Sequence, residues 1–366
     1  MARDDELVLV MGGDTGVFSK FSQASHQNQK YASFLAILKQ ADIVSANLEC
    51  VLTNCEYPDR IVPTANRCDP NVALDFSSIG VKMFSMSHRV FDFGNVGFFD
   101  TMKALTEANI QYVGGGKTLE EAMQEKIIEV KGQKVGFLSF DAAFAETTQA
   151  RAIPSADRKS YLNKPGLAPI NVKLSYGINP ATLAVITQTR ERALGAITIE
   201  RKVSEESLQR AVEKIKDTRT KVDLLVVMIH WGAVGDEIQE HQPSLGHAII
   251  DAGADIICGT HPHRPHGVEI YKSKTIFYSL GNFIYQRTGL APYLGPDQTI
   301  ARVRLSAGKV TKVEIIPTLI DDTCVSIADV NGRDRRLDYL QKFEEKNKFG
   351  TKYSVRNNET PIEVRT

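Results

Sequence analysis

The sequence predicts a mixed α/β fold: a layered β-sheet core flanked by helices, with its chemistry gathered at the carboxyl ends of the strands. Three observations carry that reading. Short, apolar, β-branched runs end in Gly and polar residues, as 224–229 does before His230-Trp231-Gly232. These runs alternate with amphipathic helical stretches, a rhythm that implies a mainly parallel or mixed sheet covered by helices. The polar residues that close the runs are imidazoles and carboxylates, and in open α/β sheets chemistry collects outside the carboxyl ends of the strands.

In chain order, residues 5–11 read as a first strand closed by Gly12-Gly13-Asp14. Tyr31, Phe34, Leu35 and Leu38 fall at helical spacing, which predicts a helix over 29–40. Residues 43–49 read as a strand delivering Asn47 and Glu49, and 81–86 as one running into Ser87-His88-Arg89. A helix over 97–108 and a strand over 110–113 follow, then a helix over 118–125. Residues 126–130 and 134–140 form a hairpin around Gly132 that ends at Asp141. Residues 142–200 break the rhythm with Pro154, Pro165, Pro169 and Gly177; such an insertion in a compact domain is a lid or binding loop. The rhythm resumes with a helix over 204–217, the strand before His230, a helix over 243–252 capped by Gly253, and a strand over 254–258. Later strands are expected at 275–280, 301–305 and 310–316, a charged helix at 334–349, and a loose polar end. The division is one domain over 1–320, with the insertion at about 142–200, and an extension over 321–366.

The 366 residues suffice for a sizeable core. Lys+Arg and Asp+Glu both number 44, so the formal net charge is zero, which argues against nucleic acid and anionic membrane as partners. The first apolar run, Leu7–Met11, is too short for a signal core, and no stretch reaches membrane-spanning length, so a cytoplasmic protein is expected. Five cysteines without a CxxC pair point to reduced thiols rather than a disulfide framework, although Cys50, Cys55 and Cys68 lie close enough in sequence to pair.

Asp14, Asn47, Glu49, His88, Asp141, His230, His261 and His263 all fall at expected strand ends. A mixed carboxylate–imidazole set suits zinc, manganese, iron or nickel better than calcium. Singly, each has an ordinary alternative: Asp14 as a turn residue or helix cap, Glu49 in a surface ion pair, His88 as a hydrogen-bonded core histidine. His261-Pro262-His263 is stronger, because residues two apart in an extended stretch face the same way. His241, His247 and His266 read as lone histidines, the first two facing solvent near a helix.

These motifs support a resemblance. His230-Trp231-Gly232, Ile250-Asp251-Ala252-Gly253-Ala254-Asp255, Gly259-Thr260-His261-Pro262-His263 and Phe277-Tyr278-Ser279-Leu280-Gly281-Asn282-Phe283 resemble the capsule-type poly-γ-glutamate synthesis (CapA) family. That family is itself similar to calcineurin-like metallophosphoesterases. Gly13-Asp14, Asn47-Leu48-Glu49 and Asp92-Phe93-Gly94 match its pattern too, and the likeness covers most of 7–320. The resemblance implies a metallophosphoesterase-like layered core. It also implies one or two divalent ions (Mn, Zn or Fe) held by Asp14, Glu49, His88, His230, His261 and His263. Where the family shows Asn-Asn-His, Ser87-His88-Arg89 stands; His88 remains a competent ligand, and Arg89 stays protonated and suits an anionic group rather than proton donation. Val234-Gly235 replace a Glu-Tyr pair, and Gly16 stands where many metallophosphoesterases have a ligand histidine.

The expectation is a metal-dependent hydrolase that uses metal-activated water on an amide, ester or phosphoester of a small acidic substrate. Arg89, His230 and Asn47 are its expected catalytic residues, and Arg89, Asn282 and Arg264 its expected substrate-binding ones. The alternative is a non-catalytic protein that binds poly-γ-glutamate or assembles with its synthesis machinery. A homodimer is compatible with either.

Overall fold

The computed structural model describes residues 6–20, 29–58, 67–88, 91–143, 149–154, 161–178, 197–286, 295–321, 325–356 and 359–365. Among these, a ten-stranded sheet and a six-stranded sheet stack face to face. The expected layered α/β fold is what the chain adopts.

Side-chain alternation along the strands dictates the layers. In Leu7–Gly16, Leu7, Leu9 and Met11 point inward between the sheets while Val10 points out toward helices. In Leu224–His230, Val226 and Met228 face inward while Leu225, Val227 and Ile229 face the opposite helical layer. That is the two-residue period of a pleated strand. With both faces covered, the strands read as continuous apolar runs rather than alternating ones, as buried parallel sheets do. Phe34 and Leu38 of helix Gln29–Lys39, with Phe98 and Leu105 of helix Gly94–Glu107, cover the larger sheet. Ala211 and Ile215 of helix Glu205–Arg219, with Leu245 and Ile249 of helix His241–Asp251, cover the smaller one.

Within the larger sheet, the Leu7–Gly16 strand lies parallel to Ile43–Leu48, which is parallel to Val81–Ser85. In the smaller sheet, Gln133–Asp141, Leu224–His230 and Ile256–Thr260 run parallel. The carboxyl ends therefore form two rows. Ser85, Asn47, Asp14 and Asn282 are cross-strand partners in one, and Asp141, His230 and Thr260 in the other.

Several expectations change. The first strand does not stop at Met11 but runs through Gly12-Gly13 to Gly16, with an irregular register between Met11 and Asp14. Glycine is needed there: a Cβ on Gly13 would lie 1.9 Å from the Gly281 carbonyl oxygen, and one on Gly12 2.3 Å from the Phe283 ring. The strand expected at 275–280 splits. Lys274–Phe277 belongs to the smaller sheet; the chain then turns at Gly281 (φ 72°) and enters the larger sheet as Asn282–Tyr285. The end of the chain is not loose. Lys352–Val355 and Ile362–Arg365 pair as a hairpin onto the Lys309–Ile320 strand, burying Ile362 and Val364 between the sheets. The insertion has strands of its own, including the antiparallel pair Val172–Ile178 and Ile197–Val203. His241 is buried rather than solvent-facing. His247 is half-buried, stacked on Tyr271 with Nε2 2.7 Å from Glu269. No helix among the described residues is long and apolar enough to cross a membrane.

Candidate metal centre

The site lies where the two rows of strand ends meet. The larger sheet supplies oxygen donors. Asp14 is completely buried; its Oδ1 accepts a hydrogen bond from Asn47 Nδ2 at 2.8 Å and its Oδ2 one from the His261 backbone N–H at 2.9 Å. The bulge at Gly12-Gly13 aims this carboxylate, in keeping with the re-aiming role of bulges beside functional sites. Glu49, just past the end of its strand, holds Oε1 2.8 Å from His88 Nε2 and 3.3 Å from His263 Nε2.

The smaller sheet supplies nitrogen donors. His230 is completely buried at the end of its strand, and Asp141 Oδ1 lies 3.6 Å from its Nδ1. Trp231, immediately after it, donates from Nε1 to the Tyr278 carbonyl at 2.9 Å and anchors the turn. The His230 ring centroid is 4.5 Å from that of His261 and 5.3 Å from that of His88. His261 and His263 both have positive φ, 97° and 56°, so the loop after Ile256–Thr260 curls back and presents both rings inward. Asn282 Oδ1 lies 2.9 Å from His263 Nδ1 and fixes that ring. Asp14, Glu49 and His263 each present one ligand atom, all within 4.8 Å of one another and all buried.

The electrostatics follow from burial and mutual charge. Burial, reinforced by Glu49, raises the Asp14 pKa above the usual carboxylate range. For Glu49, burial pushes upward, but His263 and His88 outweigh it and hold the carboxyl well below that range. For His263, burial pushes downward, but Glu49 and Asp14 outweigh it and lift the imidazole to about 10. His261 goes the other way: burial, with His230 and His263 nearby, holds it well below the ordinary value, leaving a neutral ring with a lone pair.

A divalent cation fits this donor set. Two carboxylates sharing a buried space repel unless a positive charge lies between them; without metal the His263 imidazolium supplies it, and a divalent ion would displace that proton and take its place. Two buried acceptors, Glu49 Oε2 and Asn47 Oδ1, have no hydrogen-bond donor among the described residues. Buried acceptors are normally satisfied, and a cation satisfies them.

Comparison with known proteins agrees with the sequence resemblance. The model of the bacterial capsule synthesis protein family PGA_cap matches residues 8–287. The chain belongs to this family. Among family relatives it is 30% identical over 257 residues to the capsule biosynthesis protein CapA of Bacillus anthracis, covering 68% of this chain and 52% of the relative. It is 25% identical to the PGA biosynthesis protein CapA of Bacillus subtilis, covering 69% and 55%. It is 26% identical to a probable polyglutamine synthesis accessory protein of Mycobacterium tuberculosis, covering 70% and 59%. The chain thus spans between half and three-fifths of the length of these curated relatives.

Of the residues singled out from sequence, Asp14, Asn47, Glu49, His88, His230, His261, His263 and Asn282 come together here. Asn47 and Asn282 hold other site residues, Asp14 and His263 respectively. Arg264 does not join the cluster: its side chain lines a neighbouring cleft and approaches Asp236 at 3.9 Å. Arg89 lies outside the described residues. Sequence reasoning missed Tyr285. Its ring centroid is 5.7 Å from that of His263, and burial with the charges of Glu49 and Asp14 pushes its phenol pKa upward, so the hydroxyl keeps its proton. Tyr285 closes the Asn282–Tyr285 strand, which pairs with the Asp14 strand; reading that segment as a strand would have exposed it by the rule that found the others.

Proposed function

We propose that the chain is a metal-dependent hydrolase acting on an amide or ester bond of a small acidic substrate. One observation carries this reading: two buried carboxylates and several imidazoles converge at the carboxyl edges of both sheets, with buried acceptors that a cation would satisfy. Asp14, Glu49 and His263 would hold a first ion, with His88, His230 and His261 beside it for the same or a second one. A bound divalent ion supplies Lewis acidity and lowers the pKa of water toward neutrality. The protein's own groups do the rest. Asn47 and Asn282 fix Asp14 and His263 in place, neutral His261 offers its lone pair, and the protonated Tyr285 hydroxyl can donate to a developing oxyanion. Arg89 is assigned to an anionic group of the substrate, since arginine cannot act as the general acid. The acidic substrate class draws on the relatives' names, which refer to capsule, PGA and polyglutamine synthesis.

A second reading is favoured by one of those names, which describes an accessory protein: this chain binds the polymer or assembles with its synthesis machinery without turnover. Elemental analysis of the purified protein, followed by a hydrolysis screen with γ-glutamyl amides and esters under added Mn and Zn, separates the two. The hydrolase reading expects about one or two bound ions per chain and metal-dependent product formation. Stoichiometric metal with no turnover on any acidic amide, ester or phosphoester would leave the accessory reading.

A further inference from the structure

A cleft beside the metal centre holds a charge imbalance that the centre does not explain. Arg264, Arg335, Arg336, Tyr339, Asp236 and Asp297 line a cavity of about 310 Å³. Arg336, on helix Val330–Asn347, is only 7% exposed. Its Nη2 donates to the Asp297 carbonyl at 3.0 Å, its Nη1 to the Pro265 carbonyl at 3.5 Å, and its guanidinium sits 5.0 Å from the Tyr339 ring centre. Among the described residues no carboxylate lies within 4.0 Å of it, and its Nε has no acceptor. Carbonyl dipoles and a ring face do not cancel a full charge, and a buried charge is costly unless paired. The aspartates present are already engaged: Asp297 Oδ1 meets Arg335 at 3.1 Å, and Asp236 meets Arg264 at 3.9 Å.

We propose that this cleft binds a carboxylate of an acidic ligand, with the buried Arg336 at its floor and the more exposed Arg264 and Arg335 at its mouth. Among the described residues three guanidiniums face two carboxylates, an excess of one positive charge. That suits a carboxylate better than a phosphate dianion, and a guanidinium's fork matches a carboxylate edge. The position suits a chain that carries an acid on every unit. Arg264 directly follows His263, and Asp297 directly precedes Gln298, whose Oε1 accepts the Asn282 backbone N–H at 2.7 Å. An acidic oligomer reaching the metal centre would thus set a second carboxylate in the cleft. That the ligand is the substrate rests on the proposed function; the binding itself does not.

The test is calorimetric titration of the full chain, stripped of metal by chelation, with a short γ-linked glutamate oligomer and separately with inorganic phosphate. The parent binds the oligomer. The double variant Arg264→Gln/Arg335→Gln binds it about tenfold more weakly or worse, the scale of charge-assisted hydrogen bonds, and still reloads metal as the parent does. Arg336→Lys keeps the charge, loses the fork and also weakens binding, judged only if it melts with the parent. Equal affinity in the parent and the double variant overturns the proposal. So does phosphate binding more tightly than the oligomer. Oligomer binding that depends on these arginines, with no hydrolysis under any metal, keeps the cleft and removes the hydrolase reading instead.

Discussion

The two sheets carry similar apolar strands and differ in what stands at their carboxyl ends. The larger one ends in carboxylates and amides: Asp14, Asn47, Glu49 and Asn282. The smaller one ends mostly in imidazoles: His230, His261 and His263, with Asp141 alongside. Among the described residues neither row holds the whole donor set: His88 beside Glu49 is the larger sheet's one imidazole in it, and Asp141 beside His230 the smaller sheet's one carboxylate. The difference teaches that the centre is a property of the stacking, because Asp14 and Glu49 of the larger sheet meet His263 of the smaller one only when the sheets pack over their shared core. Anything that holds the donors together also holds the layers together.

The largest expected effect comes from removing one donor from each layer. Asp14→Ala should abolish stoichiometric metal binding, because Asp14 belongs to the tight triad and anchors the His261 backbone. His230→Ala, taken from the other row, should weaken binding less, since His230 lies outside that triad. Asn282→Ala loosens His263 without removing a ligand and should cost about 10–100-fold in metal affinity, as partners that orient ligands do. Equilibrium dialysis against Zn and Mn checks all three. Equal losses for Asp14→Ala and His230→Ala would show the rows contributing alike.

A smaller effect is expected at the bulge that aims Asp14. Gly13→Ala brings a methyl against the Gly281 backbone, which cannot swing aside as a side chain would. A loss of about 1–3 kcal/mol in urea unfolding is expected, the scale of overpacking a filled site. Metal affinity should fall with it; a stable variant with parental affinity would remove the bulge's positioning role.

The third effect belongs to the outer layer of the smaller sheet. Burial, with Arg201 nearby, lowers the His241 pKa from 6.5 to about 4. The unfolded chain takes up a proton as pH falls below 6.5, and the folded chain does not until about 4, so this group destabilises the fold progressively across that window. The contribution is at most on the order of 3 kcal/mol. His241→Gln should flatten this part of the stability–pH curve of metal-free protein. An unchanged slope would put the acid sensitivity elsewhere.

Much of this was legible in the chain. Apolar runs ending in His, Asp or Glu marked the strand ends, because burial on both faces leaves the carboxyl terminus as the first place a polar side chain fits. The harder parts depended on packing between distant segments. Nothing local says that Gly12-Gly13 stay inside a strand, since the reason is the backbone at Gly281 and the ring of Phe283. The crossing from Phe277 to Asn282 was hidden because one apolar stretch serves two sheets. The closing hairpin did carry a signal: Ile362 and Val364 alternate with polar residues, yet so short a run finds its sheet only through Lys309–Ile320. His241 read as a lone histidine facing solvent near a helix, and nothing local says that the fold buries it at the start of helix His241–Asp251.

Two of the donors sit on backbone that a side-chain-bearing residue adopts reluctantly, His261 at φ 97° and His263 at φ 56°. Non-glycine residues in such conformations carry roughly 1–3 kcal/mol of local tension. Glycine would relax both positions, so thermal robustness and ion capture pull against each other in this three-residue loop. A screen for heat-resistant variants should therefore keep returning proteins that are sturdier and inert, with the lesion at 261 or 263.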